Sequence, residues 1–168
     1  MDNYIMLNGK KIPLTDEQVK LIQPDMPEKS PFDRAKFREP YYTIYSDYSS
    51  NRIPETETQL DDGRFNAGNY CTDRDIMKQH ALHMLLNNLM WRYSMTHGVD
   101  SIDWYDGSEI KVNIYYNMEL DEFGITTYSI LKYFGAVPFV SEETAKAAIE
   151  EIVKPFIAEH PDFDVTKM

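Results

Sequence analysis

Cysteine is almost absent: Cys71 stands alone in 168 residues. One thiol permits no intrachain disulfide and no cysteine metal cluster. Positive charge is scarce as well, with 17 Lys and Arg against 28 Asp and Glu and a net charge of −11. A surface of that sign repels a phosphate backbone, which argues against non-specific binding of DNA or RNA. Solubility or a basic protein partner are the ordinary uses of such charge. No apolar run approaches a membrane span. The opening MDNYIMLNGKK has no apolar core of a signal peptide, so a cytoplasmic location without a membrane partner is expected. Catalytic signatures are missing too: there is no phosphate-binding loop, no G-x-G-x-x-G, no H-E-x-x-H and no G-x-S-x-G. His80 and His83 are spaced to share a metal, but no third ligand stands nearby. The expectation is a non-enzyme with no cofactor and no metal.

What the chain does have is tyrosine, twelve of them, in a composition 13% aromatic and 42% hydrophobic. Tyr combines an apolar body with a polar tip and suits half-wet sheet faces and binding surfaces. The longest periodic stretch follows Thr72. Met77, Ala81, Leu82, Leu85, Leu86, Leu89 and Tyr93 recur at three- and four-residue steps, the apolar face of a helix. Thr72 reads as its N-cap, with Asp75 completing a capping box, and Gly98 as its stop.

The other elements follow in chain order. Tyr4 to Leu14 reads as a hairpin turning at Asn8-Gly9, and Thr15 with Gln18 forms a capping box for a short helix through Ile22. Pro24, Pro27 and Pro31 make an extended linker, with Phe32 and Phe37 expected to bury their rings. Pro40 to Ser46 is a strand by composition. Asp47 to Thr58 reads mostly as loop or irregular edge and Asp61-Asp62-Gly63 as a turn. Phe65 to Cys71 then reads as a strand leading into the long helix. Val99 to Ser108 holds Trp104, Tyr105 and an Asp106-Gly107 turn. Ile110 to Asn117 alternates as a half-buried strand, Leu120 to Gly124 turns the chain, and Ile125–Phe134 and Gly135–Val140 read as two more strands. Ser141 caps a last helix whose buried stripe is Ala145, Ala148, Ile149, Ile152 and Val153, with Pro155 set to kink or stop it.

Together these predict an α+β fold. Its antiparallel sheet comes from two β-hairpin/helix units with the two main helices packed on one face, joined by the N-terminal hairpin and short helix. Residues 1–31 form the N-terminal hairpin, helix and Pro-rich linker, and 32–168 a single α+β domain. A weak two-fold repeat, 41–97 and 110–157, pairs NAGNYCTDRDIMKQHAL with YFGAVPFVSEETAKAAI.

The segments LNGKKIPLTDEQVKLI, SPFDRAKFREPYYTIYSD, RFNAGNYCTDRDIMKQHAL, NIYYNMELDEFGI and VSEETAKAAIEEIVKPFIAEHPDF occur in that order. In this the chain resembles, over nearly its whole length, uncharacterised accessory proteins encoded by phages and prophages of Firmicutes. The resemblance implies a phage source, a bacterial host cytoplasm and a small accessory role. It implies no reaction.

Three functions are compatible with these residues. A small nucleotide ligand could use Arg64, Arg74 and Arg92 for charge, Tyr70 or Trp91 for stacking, and Asn69 beside the N-terminus of the long helix. Alternatively, an acidic surface of Glu55, Glu57, Asp61 and Asp62, with Glu119, Asp121 and Glu122, could dock on a basic host defence protein and block it. A structural or assembly component of a phage particle is the third reading, and a homodimer is compatible with any of them.

Overall fold

The computed structural model describes residues 4–7, 9–22, 29–129, 131–132 and 135–167. The chain is α+β and divides into two compact units, Met1–Asp33 and Arg34–Met168. In the first, β1 (Tyr4–Leu7) and β2 (Lys10–Pro13) pair antiparallel with Leu7 opposite Lys10, the register of a two-residue turn. Helix α1 (Asp16–Ile22) opens with both arms of the Thr15/Gln18 capping box closed. Much of the Pro-rich linker, 23–28, lies outside the described residues. Phe32 is exposed, so it does not bury its ring. Phe37, in the second unit, is exposed as well, with Arg38 over its face.

The second unit begins with a hairpin of β3 (Pro40–Ile44) and β4 (Ser50–Pro54). Pro40 lies opposite Pro54 at its open end, where a missing N–H removes the fewest ladder bonds. Polar Ser50 to Arg52, expected as loop or irregular edge, belongs to a regular strand of this two-stranded ribbon. Next comes helix α2 (Gln59–Asn66), where the sequence reading placed a turn and a strand. Thr58 and Asp61 form a capping box, so Asp61 is the third residue of a helix and not a turn former.

Helix α3 (Arg74–Thr96) is the longest element. Its N-cap is Asp73, one residue later than expected, because the Asp73 carboxylate takes the N–H groups of both Asp75 and Ile76 at 2.8 and 3.0 Å. A single 3₁₀ turn (Val99–Ser101) follows Gly98. Then β5 (Lys111–Asn117) and β6 (Glu122–Tyr128) form the third hairpin, turning at 118–121 rather than 120–124. Gly124 on β6 lies under the Tyr115 ring, where an added Cβ would meet ring atoms at 2.5 Å. The ring is half exposed and can swing aside, so Gly124→Ala is expected to cost about 1 kcal/mol or less in a denaturant titration.

Helix α4 (Glu142–Ala148) starts at Ser141, whose hydroxyl accepts the Thr144 N–H as expected. It runs through a π turn (Ile149–Val153) directly into α5 (Lys154–Glu159). Pro155, expected to kink or stop the helix, does not stop it; the helix is instead distorted locally just before it. The wider i→i−5 turn, closed by Lys154 N–H on the Ile149 carbonyl, absorbs the ring and its missing donor.

The described strands make three separate two-stranded ribbons, not one joined sheet. Each main hairpin of this unit does gain a third partner, through one residue. Tyr42 exchanges both backbone hydrogen bonds with Cys71, and Val112 does the same with Phe139. Both bridging residues stand two positions before a helix N-cap, Asp73 and Ser141. The helix start cuts the third strand short in each half, and Pro138 removes a further donor in the second. Each of these hairpins is thus followed by one bridging residue and a capped helix, with α2 an extra element in the first half only. Gly68 and Gly135, both at positive φ (71° and 79°), align as the sequence pairing has them. One extra residue in the second half then shifts the bridge and the cap.

Among the described residues, four clusters fill the interior of this unit. Ile44, Cys71, Met77 and Ala81 join the β3–β4 hairpin to α3, and Val112, Val137, Phe139, Ala145 and Ala148 join the β5–β6 hairpin to α4. Leu86 packs against Val153 and Phe156 between the long helices, and Phe163 folds the tail back onto them. Gln79 clamps that tail, donating to the Asp162 carbonyl and accepting from the Asp164 N–H. The fourth cluster, Ala35, Tyr41 and Tyr70, surrounds the charged groups described next.

Candidate functional site

Six residues were candidates for a ligand site, and the structure does not bring them together. Tyr70 is buried, stacked on Tyr41 at 3.9 Å, with its hydroxyl donating to Glu55 at 2.7 Å. No base can stack on it. The Asn69 amide is spent on both backbone groups of Ile44, at 2.6 and 2.9 Å. Arg64 donates to the Tyr41 hydroxyl at 2.8 Å. Arg74, Trp91 and Arg92 are exposed on α3, but Arg74 and Arg92 are roughly 27 Å apart at 1.5 Å per residue.

The acidic set divides. Glu55 and Asp61 are 0% and 2% exposed, so they offer no charge to a partner. Glu55 takes a bidentate pair from Arg34, both contacts 3.1 Å, as well as the Tyr70 hydroxyl. Asp61 accepts from the Tyr41 hydroxyl at 2.6 Å and from both N–H and hydroxyl of Thr56 and Thr58. Asp62 is ion-paired to Arg34 at 2.6 Å. This is an internal girder that fastens 55–58 and α2 to the first hairpin. Arg34 holds the Glu55 carboxyl below its ordinary range against the opposing effect of burial. For Asp61, burial pushes the carboxyl up, but the hydrogen bonds from Tyr41, Thr56 and Thr58 outweigh it and hold it well below the usual range. Glu57 remains exposed. So do Glu119, Asp121 and Glu122, at a hairpin tip that also exposes Met118 and Leu120.

A further surface feature is formed by the segments before β5 and after β6. Trp104, Tyr105, Leu131 and Lys132 line an open groove of about 350 Å³. Tyr105 is 99% exposed, and the Lys132 ammonium sits 4.4 Å from the centre of the Trp104 ring. The loop carrying Tyr105 is held by its own acids. Asp103 Oδ1 accepts the Tyr105 N–H at 2.9 Å, Asp106 Oδ1 accepts from Ser108 N–H and hydroxyl, and Glu109 reaches back to the Asp103 N–H at 2.6 Å. The Asp106 carboxyl is lowered, first by the Ser108 hydrogen bonds and then by the charge of Lys111.

Lys111 ties the two walls together. It is 0% exposed, and its ammonium donates to the carbonyls of Asp106 at 2.8 Å and Ser129 at 3.1 Å. One buried cation thus bolts the Tyr105 loop to the exit of β6, two residues before Leu131. Sequence reading noted Trp104, Tyr105 and the Asp106-Gly107 turn but gave them no role. The available signal was acidic residues at 100, 103, 106 and 109 around two adjacent aromatics.

Comparison with known proteins finds no matching family model, no similar curated protein and no similar solved structure. Fold and site together define an acidic α+β protein that presents a fastened, tyrosine-tipped loop. Among the described residues no helix is long and apolar enough to cross a membrane.

Proposed function

We propose that this chain is a non-enzymatic binding protein that acts by occupancy, docking its Tyr105 loop on a protein with a basic surface. The observation that carries the reading is a fully exposed Tyr on a loop already ordered by Asp103, Asp106, Glu109 and Lys111. Exposed Tyr is a favoured anchor of interfaces because it supplies contact area at low cost in side-chain entropy. A loop fastened before binding has less freedom to lose. The acids beside Tyr105 select a basic partner and speed its approach. In the phage setting suggested by the sequence resemblance, that partner is a host defence protein whose basic surface takes nucleic acid, and occupying the surface blocks it. A nucleotide ligand fits less well, since the same acids repel phosphate.

The test is capture from a Firmicutes lysate at low salt, followed by titration of the purified partner. Tyr105→Ala is expected to weaken binding roughly tenfold or more, as truncating an interface anchor does, with the melting temperature unchanged. Raising salt to about 0.5 M should weaken wild-type binding, because screening then acts within about 5 Å. Equal binding by wild type and Tyr105→Ala, or indifference to salt, refutes the docking mode. A melting point raised by a nucleotide would replace it with the ligand reading.

A further inference from the structure

The segment after α5 rests in a seat built the way peptide-binding sites are. Pro161 has no N–H with which to continue the helix, and the chain turns there, with the Phe163 N–H on the His160 carbonyl at 2.8 Å. A second turn follows, in which Asp164 Oδ1 accepts from both N–H and hydroxyl of Thr166. Between the two turns, side chains of α3 hold the main chain. The Gln79 amide donates to the Asp162 carbonyl at 2.6 Å and accepts the Asp164 N–H at 2.9 Å, and His83 Nε2 donates to the Asp164 carbonyl at 3.2 Å. A side-chain amide offers both donor and acceptor, so Gln79 meets residues 162–164 as the backbone of a neighbouring strand would.

The side chains of the tail supply selection. The Phe163 ring stands perpendicular to Phe156 at 5.3 Å and tilts against His83 at 4.6 Å, on the apolar cluster of Leu86, Val153 and Phe156. Lys78 pairs with Asp162 at 2.5 Å. Main-chain hydrogen bonds for affinity, with a pocket and a charge for specificity, are how folded domains read short segments. The hold is slight, however. Phe163 is only half-buried, and Lys78 and Asp162 are 41% and 71% exposed. Among the described residues the backbone of 161–167 bonds to no backbone outside 160–167. A segment with so few buried contacts opens apart from the core. The seated tail also defines what fits: an acid for Lys78, then a Phe, on a main chain read by Gln79 and His83. We propose that the seat on α3 and α5 recognises an acidic segment with a central Phe, of Asp-Phe-Asp type, presented by a partner protein. Residues 161–167 close the seat in cis until such a segment displaces them.

A fluorescent peptide copying residues 160–167 tests this, titrated to about 1 mM against the full chain. Phe163→Ala, whose tail has lost its anchor, is expected to bind the peptide about tenfold or more tighter than wild type. A seat closed in cis weakens apparent affinity in proportion to the fraction closed. Asp162→Lys is a second opener, made at an exposed position that faces Lys78, and it too should bind the peptide more tightly than wild type. Circular dichroism identifies which openers are folded. Binding should be lost when the peptide carries Phe163→Ala, or when Gln79→Ala is added to either opener. In wild type, the amides of Phe163 and Asp164 should exchange faster than those of residues 82–90 in α3. No gain in peptide binding by a folded opener, equal binding of the altered peptide, or tail amides that exchange as slowly as α3 would each overturn the proposal.

Discussion

Asp61→Ala is expected to lower stability by about 3–5 kcal/mol, the range for removing one member of a buried charged network. Its two oxygens satisfy the Tyr41 hydroxyl and four groups of Thr56 and Thr58. Alanine strands the Tyr41 hydroxyl, 0% exposed, at about 1–3 kcal/mol for a buried group without an acceptor, and it unties Thr56 and Thr58, whose own groups can turn to water. It also removes the side chain that closes the α2 capping box. Asp61→Asn keeps the volume and one acceptor and should cost less. Urea titration reads both, and a loss under about 1 kcal/mol for Asp61→Ala would mean that the network fills space without holding it.

The same network predicts the acid limb of the stability curve. The folded-state carboxyls of Glu55 and Asp61 both lie below their unfolded values. Their contribution is therefore complete above the unfolded carboxylate value of about 4. It is lost as pH falls from there toward the folded values. Wild type should lose stability steeply below about pH 4, and Asp61→Ala should show a shallower slope there.

Local signals in the sequence were read well and long-range ones were not. Thr15/Gln18, Ser141 and the stripe of Ala145, Ala148, Ile149, Ile152 and Val153 are decided within a few residues, and they appear where the pattern put them, with Ile152 only half-buried. Helix α2 was legible in the same way from Thr58 and Asp61, but Gly63 and the paired acids resemble a turn. The girder was not legible. Glu55 looks like a surface acid until Arg34, 21 residues earlier, is folded against it, and nothing local in the sequence marks Asp61 as buried. The joined sheet failed for a related reason. Strand propensity places Cys71 and Phe139 correctly beside their hairpins, but helix caps two residues on leave room for one bridge. In the Tyr105 loop, the Asp106-Gly107 turn was visible. Its fastening by Lys111 depends on Ser129, which is distant in sequence.

Lys111→Met is the change expected to join stability to function. Methionine matches the stem of lysine and fills the same buried space, but it donates nothing to the Asp106 and Ser129 carbonyls. Hydrogen bonds from a charged donor contribute about 1.5–3 kcal/mol each. Part of that is returned, because the variant no longer buries an ammonium. A net loss of about 2–4 kcal/mol follows from these opposing contributions. The consequence for binding differs in kind from that of Tyr105→Ala. Tyr105→Ala removes the anchor and leaves the loop ordered. Lys111→Met keeps the anchor and frees both walls of the groove, so the partner must order the loop as it binds. Amide exchange in residues 103–109 and 129–132 should accelerate in Lys111→Met and not in Tyr105→Ala, while binding weakens in both. If exchange accelerates and binding to the partner is unchanged, the order of the loop plays no part in recognition, and Tyr105 acts wherever it happens to point.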